Sequence, residues 1–333
     1  MRLVQLLGPR GRRVAIVEEP HLCLLDRCSS VRELASSALR EDIPLLRAIE
    51  QRKSSELLDY DPIYSGQSVW RLLPSADFPE APSRCLVTGT GLTHLASVKN
   101  RDAMHSGTQA VTDSTRMYQS GVEGGKPAPG EAGVSPEWFY KGSGSVLRAH
   151  GEPLDVPAFA DDGGEEPEIA GVYLIDDHGT PRRIGFTIGN EFSDHVFEKK
   201  NYLYLASSKL RTCSIGPELS IDANVAKFGL IPGEVSVERG GKSLWSSAIQ
   251  TGEENMCHSL ANIEHHHFKF DFHRQPGDLH IHFFGAGAFS FGAGISLQQD
   301  DVMQVRFEAF GRPLRNPLHR AAPSRSPVTV QPM

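Results

Sequence analysis

Glu166 and Glu168 stand two residues apart at the head of a run that turns apolar and β-branched, Ile169 to Ile175. In an extended strand, residues i and i+2 share a face, so both carboxylates point into one space. Carboxylates placed this way raise each other's pKa unless a cation sits between them. Glu191 follows a second β-like run, Ile184 to Ile188, and offers a third oxygen ligand. Three carboxylates with no His or Cys of matching spacing favour a hard cation, Mg²⁺ or Mn²⁺. The competing reading of the same residues is a charged edge strand with solvated Glu side chains.

Other residue types suggest different chemistry. The segment Asn262 to His267 reads NIEHHH, and His258, His273, His280 and His282 lie near it in the sequence. Three consecutive His on a helix diverge by about 100° each, so they cannot share one site. His280 and His282 share a strand face but lack an evident third ligand, so buried imidazoles are the preferred reading. Cys85 to His94 runs through a strand into Gly89-Thr90-Gly91, then Leu92-Thr93-His94. It lacks the third glycine of a dinucleotide fingerprint, which excludes that reading. His94 is either a site residue or a satisfied core imidazole. The loop Lys141-Gly-Ser-Gly-Ser145 is a candidate anion cradle through its backbone N–H groups.

These residues need a scaffold, and composition limits the choice. The 333 residues allow one large domain, or a large one with a small companion. Apolar content of 39% and charged content of 23% fit a soluble globular chain. A net charge of −7 with no basic block argues against nucleic acid. No apolar run approaches the roughly 18 residues of a membrane span. The apolar start of MRLVQLLGPRGRR is too short for a secretory signal. Five scattered cysteines without a C-x-x-C suggest a reducing cytoplasm.

Along the chain, Arg2 to Leu7 and Arg13 to Glu18 predict a hairpin across Gly8-Pro9-Arg10-Gly11. Ser30 and Glu33 form a capping box that opens a helix, and a second helix follows Pro44. Residues 69–84 read as an extended, proline-rich linker. Residues 121–133 read as a mobile loop. Cys213 to Glu218 reads as a turn, and Val235 to Arg239 before Gly240-Gly241 as a hairpin. The expected organisation is a small α+β unit over 1–75, a main unit over 76–317 and a disordered tail over 318–333.

The order of motifs then becomes recognisable. Glu166-Pro-Glu168, Asn190-Glu191, Lys209, Ile215-Gly-Pro217, Pro276-Gly-Asp278 and Leu314-Arg-Asn-Pro317 together resemble the fumarylacetoacetate hydrolase family, in its branch acting on 2-keto-3-deoxy sugar acids. The match covers roughly residues 85 to 317. It implies an α+β, mostly β fold: a mixed β-sheet roll of the fumarylacetoacetate hydrolase C-terminal type with a small N-terminal α+β cap, usually in a dimer. It implies Glu166, Glu168 and Glu191 as ligands of Mg²⁺ (or Mn²⁺). Lys209 would stand beside the metal as a catalytic and substrate-contacting group, with His94 a second catalytic candidate. Lys141, Gly285 and Ala286 are the remaining substrate-binding candidates. The implied reaction is dehydration of a 2-keto-3-deoxypentonate to the semialdehyde of 2-oxoglutarate, with a small 2-keto acid as partner. The alternative is metal-dependent C–C hydrolysis of a 2,4-diketo acid.

Four departures stand out. The third ligand is usually Asp, and Glu191 is one methylene longer. Pro167 between the paired Glu residues suits an edge or bulged strand. The hydrolases of the family carry a Glu three residues after the His at the position of His94, and here Ser97 stands there. Gly285-Ala286 replaces a Gly-Thr pair, which removes a hydroxyl.

Overall fold

The computed structural model describes residues 1–95, 112–221, 228–322 and 326–333. Ser97 lies outside the described residues. Gly11 lies at φ +106 and lets the chain reverse between β1 (Arg2–Gly8) and β2 (Gly11–Glu18), followed by β3 (His21–Leu25). The predicted capping box opens α1 (Val31–Arg40): Ser30 Oγ accepts from the Glu33 N–H at 3.1 Å, and the Glu33 carboxylate accepts from the Ser29 N–H. Next come α2 (Leu45–Glu50), β4 (Lys53–Asp59), α3 (Tyr60–Tyr64) and β5 (Arg71–Leu72). The middle of the chain holds β6 (Cys85–Gly91), α4 (Asp113–Gly124), β7 (Glu137–Ser143), β8 (Leu147–Arg148) and β9 (Leu154–Val156). The site-bearing stretch gives β10 (Pro167–Ile175), β11 (Pro181–Asn190), α5 (His195–Lys200), α6 (Leu205–Lys209) and β12 (Cys213–Ser220). The chain closes with β13 (Ile231–Arg239), β14 (Lys242–Thr251), α7 (Leu260–Phe268), β15 (Leu279–Phe283), β16 (Val302–Phe307) and β17 (Leu314–Arg320).

A large mixed sheet runs β4-β3-β2-β1-β12-β11-β10-β15-β6-β7, and a smaller one runs β14-β13-β16-β17-β9. Within the large sheet β15 pairs β6 in parallel and its neighbours are mostly antiparallel. Strand β10 is buried along its whole length because both faces are covered. Ile169, Tyr173 and Ile175 face Val235, Val305 and Phe307 of the small sheet. Ala170, Val172 and Leu174 join Leu34, Ala35 and Ala38 of α1 on the other side. The mostly β mixed-sheet roll expected from the motifs is therefore observed.

Several local expectations change. Strand β10 is central rather than an edge, and the solvated-strand reading of Glu166 and Glu168 falls with it. Pro167 is tolerated as the first residue of the strand. It pairs with Asn190 on one side, and the β15 ladder begins only at Ala170. The segment Cys213 to Glu218 is strand rather than turn, and the Gly216–Pro217 cis peptide falls where the β11–β12 register shifts. The start of the expected 121–133 loop is the last turn of α4. Strand β17 continues through Arg320, with Leu318 buried.

Candidate metal centre

Pairing of β10 with β11 sets Pro167 opposite Asn190, so the acidic residues flanking them meet at one end of the sheet. The Glu191 N–H donates to the Glu166 carbonyl at 2.9 Å. The Asn190 side-chain oxygen accepts from the backbone N–H groups of Glu166 (3.1 Å) and Phe192 (3.2 Å), clamping the two chain segments together. One carboxylate oxygen each from Glu166, Glu168 and Glu191 then falls within 4.8 Å of the others, and all three residues are buried.

Each carboxylate has a different support. Glu168 accepts the Gly285 N–H at 2.7 Å. Gly285 sits at φ +101, and a Cβ there would lie 2.0 Å from Thr93 Oγ1, so glycine is required at that turn. Glu166 Oε1 receives Lys209 Nζ at 2.6 Å and faces His195 Nε2 at 3.1 Å. Glu191 is flanked by two ammonium groups, Lys209 at 2.5 Å from Oε2 and Lys141 at 2.8 Å from Oε1. Lys141 also donates to the Phe192 carbonyl. The structure thus joins Lys141, Lys209, Gly285 and the three Glu residues in one contact set. Ala286 is buried beside Phe289.

The electrostatics follow from burial. Burial and the charges of Glu191 and Glu166 hold the Glu168 carboxyl well above its usual range. Burial raises Glu191 as well, against the pull of Lys141 and Lys209. Burial also works against ionisation of Glu166, but Lys209 and His195 outweigh it and hold Glu166 well below its usual range. Three buried carboxylates cannot all ionise cheaply without cations, and their all-oxygen donor set suits a hard divalent ion. The residues present therefore fit such a cation.

His94 is held between two threonines. Its Nδ1 is 2.8 Å from Thr93 Oγ1 and its Nε2 is 2.9 Å from Thr251 Oγ1. Burial pushes its pKa down to about 4. His280 and His282 pack with His267 inside the protein, and both ring nitrogens of His282 meet hydroxyls of Thr88 and Thr90. The buried-imidazole reading of these histidines matches the structure.

Three participants escaped the sequence reading. Ser193 Oγ lies 2.9 Å from Lys209 Nζ, His195 meets Glu166, and Glu198 Oε1 lies 3.7 Å from Lys209 Nζ. A signal was present: Ser193 and His195 follow Glu191 at spacings of two and four, which repeats one side of an extended segment.

Sheet order defines a structural class, the mostly β mixed-sheet roll anticipated from the motifs. Comparison with known proteins bears this out. The fold matches that of a solved 2-keto-3-deoxy-D-arabinonate dehydratase in its apo form, with TM-score 0.72, 17% identity, and coverage of 96% of this chain and 99% of that one. The same enzyme complexed with magnesium and 2,5-dioxopentanoate gives TM-score 0.71 at 17% identity, covering 97% and 100%. A 5-carboxymethyl-2-hydroxymuconate delta-isomerase from Mycobacterium smegmatis gives TM-score 0.56 at 17% identity, covering 97% and 100%. In sequence, the chain is 31% identical over 182 residues to a "Probable 2-keto-3-deoxyxylonate dehydratase" of Haloferax volcanii, covering 53% of this chain and 58% of the relative. It is 27% identical over 122 residues to a 2-dehydro-3-deoxy-D-arabinonate dehydratase of Saccharolobus solfataricus, covering 36% and 40%. The chain thus spans about half the length of the curated relatives it matches. No family profile matches it.

Proposed function

We propose that this protein is a Mg²⁺-dependent hydro-lyase that dehydrates a 2-keto-3-deoxypentonate to 2,5-dioxopentanoate, the semialdehyde of 2-oxoglutarate. The observation that carries the reading is the convergence of Glu166, Glu168 and Glu191 in a buried, all-oxygen cluster braced by two lysines. The two curated relatives, both named as dehydratases of sugar-derived keto acids, support the substrate class. The structural relative complexed with magnesium and 2,5-dioxopentanoate supports the cation and the product.

A divalent cation held by the three Glu residues would supply Lewis-acid polarisation of the C2 carbonyl. The chain's own groups do the rest. Gly285 fixes the orientation of Glu168, and Asn190 fixes the spacing of Glu166 and Glu191. Lys141, 2.8 Å from Glu191 Oε1, pulls against the burial that raises the Glu191 carboxyl. Lys209 offsets negative charge when an anionic substrate enters a largely dry site, where charges interact more strongly than in water. Loss of a C3 proton and of the C4 hydroxyl removes one water, and tautomerisation gives the aldehyde. His94 is a poor water-activating base, since burial lowers its pKa to about 4. That disfavours the C–C hydrolase.

Parallel assays with a 2-keto-3-deoxypentonate and a 2,4-diketo acid test the reading. Mg²⁺-dependent semialdehyde from the first supports it. Pyruvate released from the second, with no turnover of the first, overturns it in favour of the hydrolase. Assembly as a homodimer and a cytoplasmic location belong to the same proposal. Five free cysteines, all buried, suit a reducing compartment, and among the described residues no helix is long and apolar enough to cross a membrane. Light scattering checks the dimer.

A further inference from the structure

The Lys209 ammonium is shared between two sets of acceptors. On one side are Glu166 Oε1 at 2.6 Å and Glu191 Oε2 at 2.5 Å, both proposed metal ligands. The other is Glu198 Oε1 at 3.7 Å; Ser193 Oγ also accepts from Lys209 at 2.9 Å. Glu198 lies on α5 outside the three-carboxylate group, only 2% exposed, and its Oε1 accepts the Ser208 hydroxyl at 2.6 Å. A buried carboxylate is costly unless it serves a partner. Its nearby ammonium is Lys209, whose charge also lies 4.8 Å from the centre of the Phe139 ring.

A divalent cation held by Glu166 and Glu191 would meet a positive charge already bonded to both carboxylates. In a buried site two such charges repel strongly. Lys141 is pinned by the Phe192 carbonyl and complete burial, so it has little room to yield. Lys209 has somewhere to go. A shift on the order of 1 Å closes the Glu198 contact to hydrogen-bond length. We propose that Glu198 is a positioning residue: it receives the Lys209 ammonium when a divalent cation takes its place between Glu166 and Glu191. Lys209 then stays beside the cluster with N–H groups released from two carboxylates. This inference rests on the metal assignment proposed above.

Calorimetric titration of the full chain with Mg²⁺ tests it, using wild type, Glu198→Gln, Lys209→Met and the double variant. Glu198→Gln is expected to weaken Mg²⁺ binding about tenfold, in the range seen for outer partners of metal ligands. In the Lys209→Met background the same change is expected to shift affinity less than about twofold, because no ammonium needs relocating. An equal loss in both backgrounds would mean that Glu198 acts through its charge alone, and overturns the proposal. So does unchanged affinity in Glu198→Gln while wild type binds. Failure of wild type to bind Mg²⁺ would overturn the metal assignment as well, a separate result. If Glu198→Gln does not fold, Glu198→Asp in both backgrounds is read by the same criterion.

Discussion

Glu168 is the residue whose chemistry depends most on its neighbours. Burial beside Glu191 and Glu166 raises its carboxyl above the usual range, so the folded chain binds that proton more tightly than the unfolded chain. The stability this gives is fully present below the unfolded pKa, near 4.3, and is lost as pH rises through the raised folded value. In EDTA, melting temperature should therefore fall across that rise. Glu168→Gln keeps an oxygen for the Gly285 N–H but removes the proton and the like charge. Its melting temperature in EDTA should fall less steeply over the same range, and lie about 2–4 °C above wild type at the alkaline end. Mg²⁺ affinity should fall by at least roughly 100-fold, more than for an outer partner. Thermal melts in EDTA and a Mg²⁺ titration measure both effects. Unchanged Mg²⁺ binding in a folded variant would remove Glu168 from the ligand set. The three carboxylates proposed as metal ligands were legible from the i, i+2 spacing and the two β-like runs. Gly285, Lys141 and Asn190 were in view as residues, but their supporting roles were not, because a backbone N–H, an ion pair and a side-chain clamp have no fixed sequence spacing.

The element that binds the site to the core is β15 with the turn that follows it. Gly285→Ala forces a side chain into a left-handed backbone and onto Thr93 Oγ1, 2.0 Å away. Strain of about 1–3 kcal/mol is expected, together with withdrawal of the N–H from Glu168. The variant should melt lower and bind Mg²⁺ more weakly, and a loss of stability with Mg²⁺ affinity intact would separate the turn from the site. The same strand carries a pH-sensitive element. Burial first, then nearby imidazoles, push His280 and His282 down to about 3. A histidine that is neutral when folded and near 6.5 when unfolded contributes stability above 6.5, and this is lost as pH falls toward its folded value. The slope is about 1.4 kcal/mol per pH unit for each such group. His282→Gln can still bond to the Thr88 or Thr90 hydroxyl but cannot protonate, so its acid-unfolding midpoint should move to lower pH relative to its own stability at pH 8. Circular dichroism across an acid titration reads this, and an unshifted midpoint would show that other groups govern acid unfolding. The H-x-H spacing showed which face the pair shares. The threonines opposite belong to β6, nearly 200 residues earlier in the chain, and only the parallel pairing of β15 with β6 reveals them.

At the scale of the molecule, the first strands and the site share one sheet. Strand β1 pairs β12 through Arg2↔Ser220 and Leu3↔Leu219. Leu3, Val14 and Ile16 lie in the same core as Val172, Ile215 and Ile281. Polar contacts cross the same line: Arg2 pairs Glu218 at 2.7 Å, Tyr60 donates to Glu218 at 3.1 Å, and Gln5 donates to Asp77 at 2.8 Å. Local patterns announced the hairpin and helices of residues 1–75 but could not show what they pair with, since strand order depends on contacts far apart in sequence. Removing residues 1–75 would bare the β1 side of β12, an edge next to the strand that leads into Glu191, and strip Glu218 of Arg2 and Tyr60. Unpaired edges and uncompensated buried charge both favour aggregation or unfolding. A chain of residues 76–333 should therefore be insoluble or unfolded when expressed alone, and adding residues 1–75 as a separate chain should restore soluble protein if the two pieces fold together. Soluble, cooperatively melting 76–333 that binds Mg²⁺ with wild-type affinity would show instead that the larger segment holds its site without the N-terminal strands.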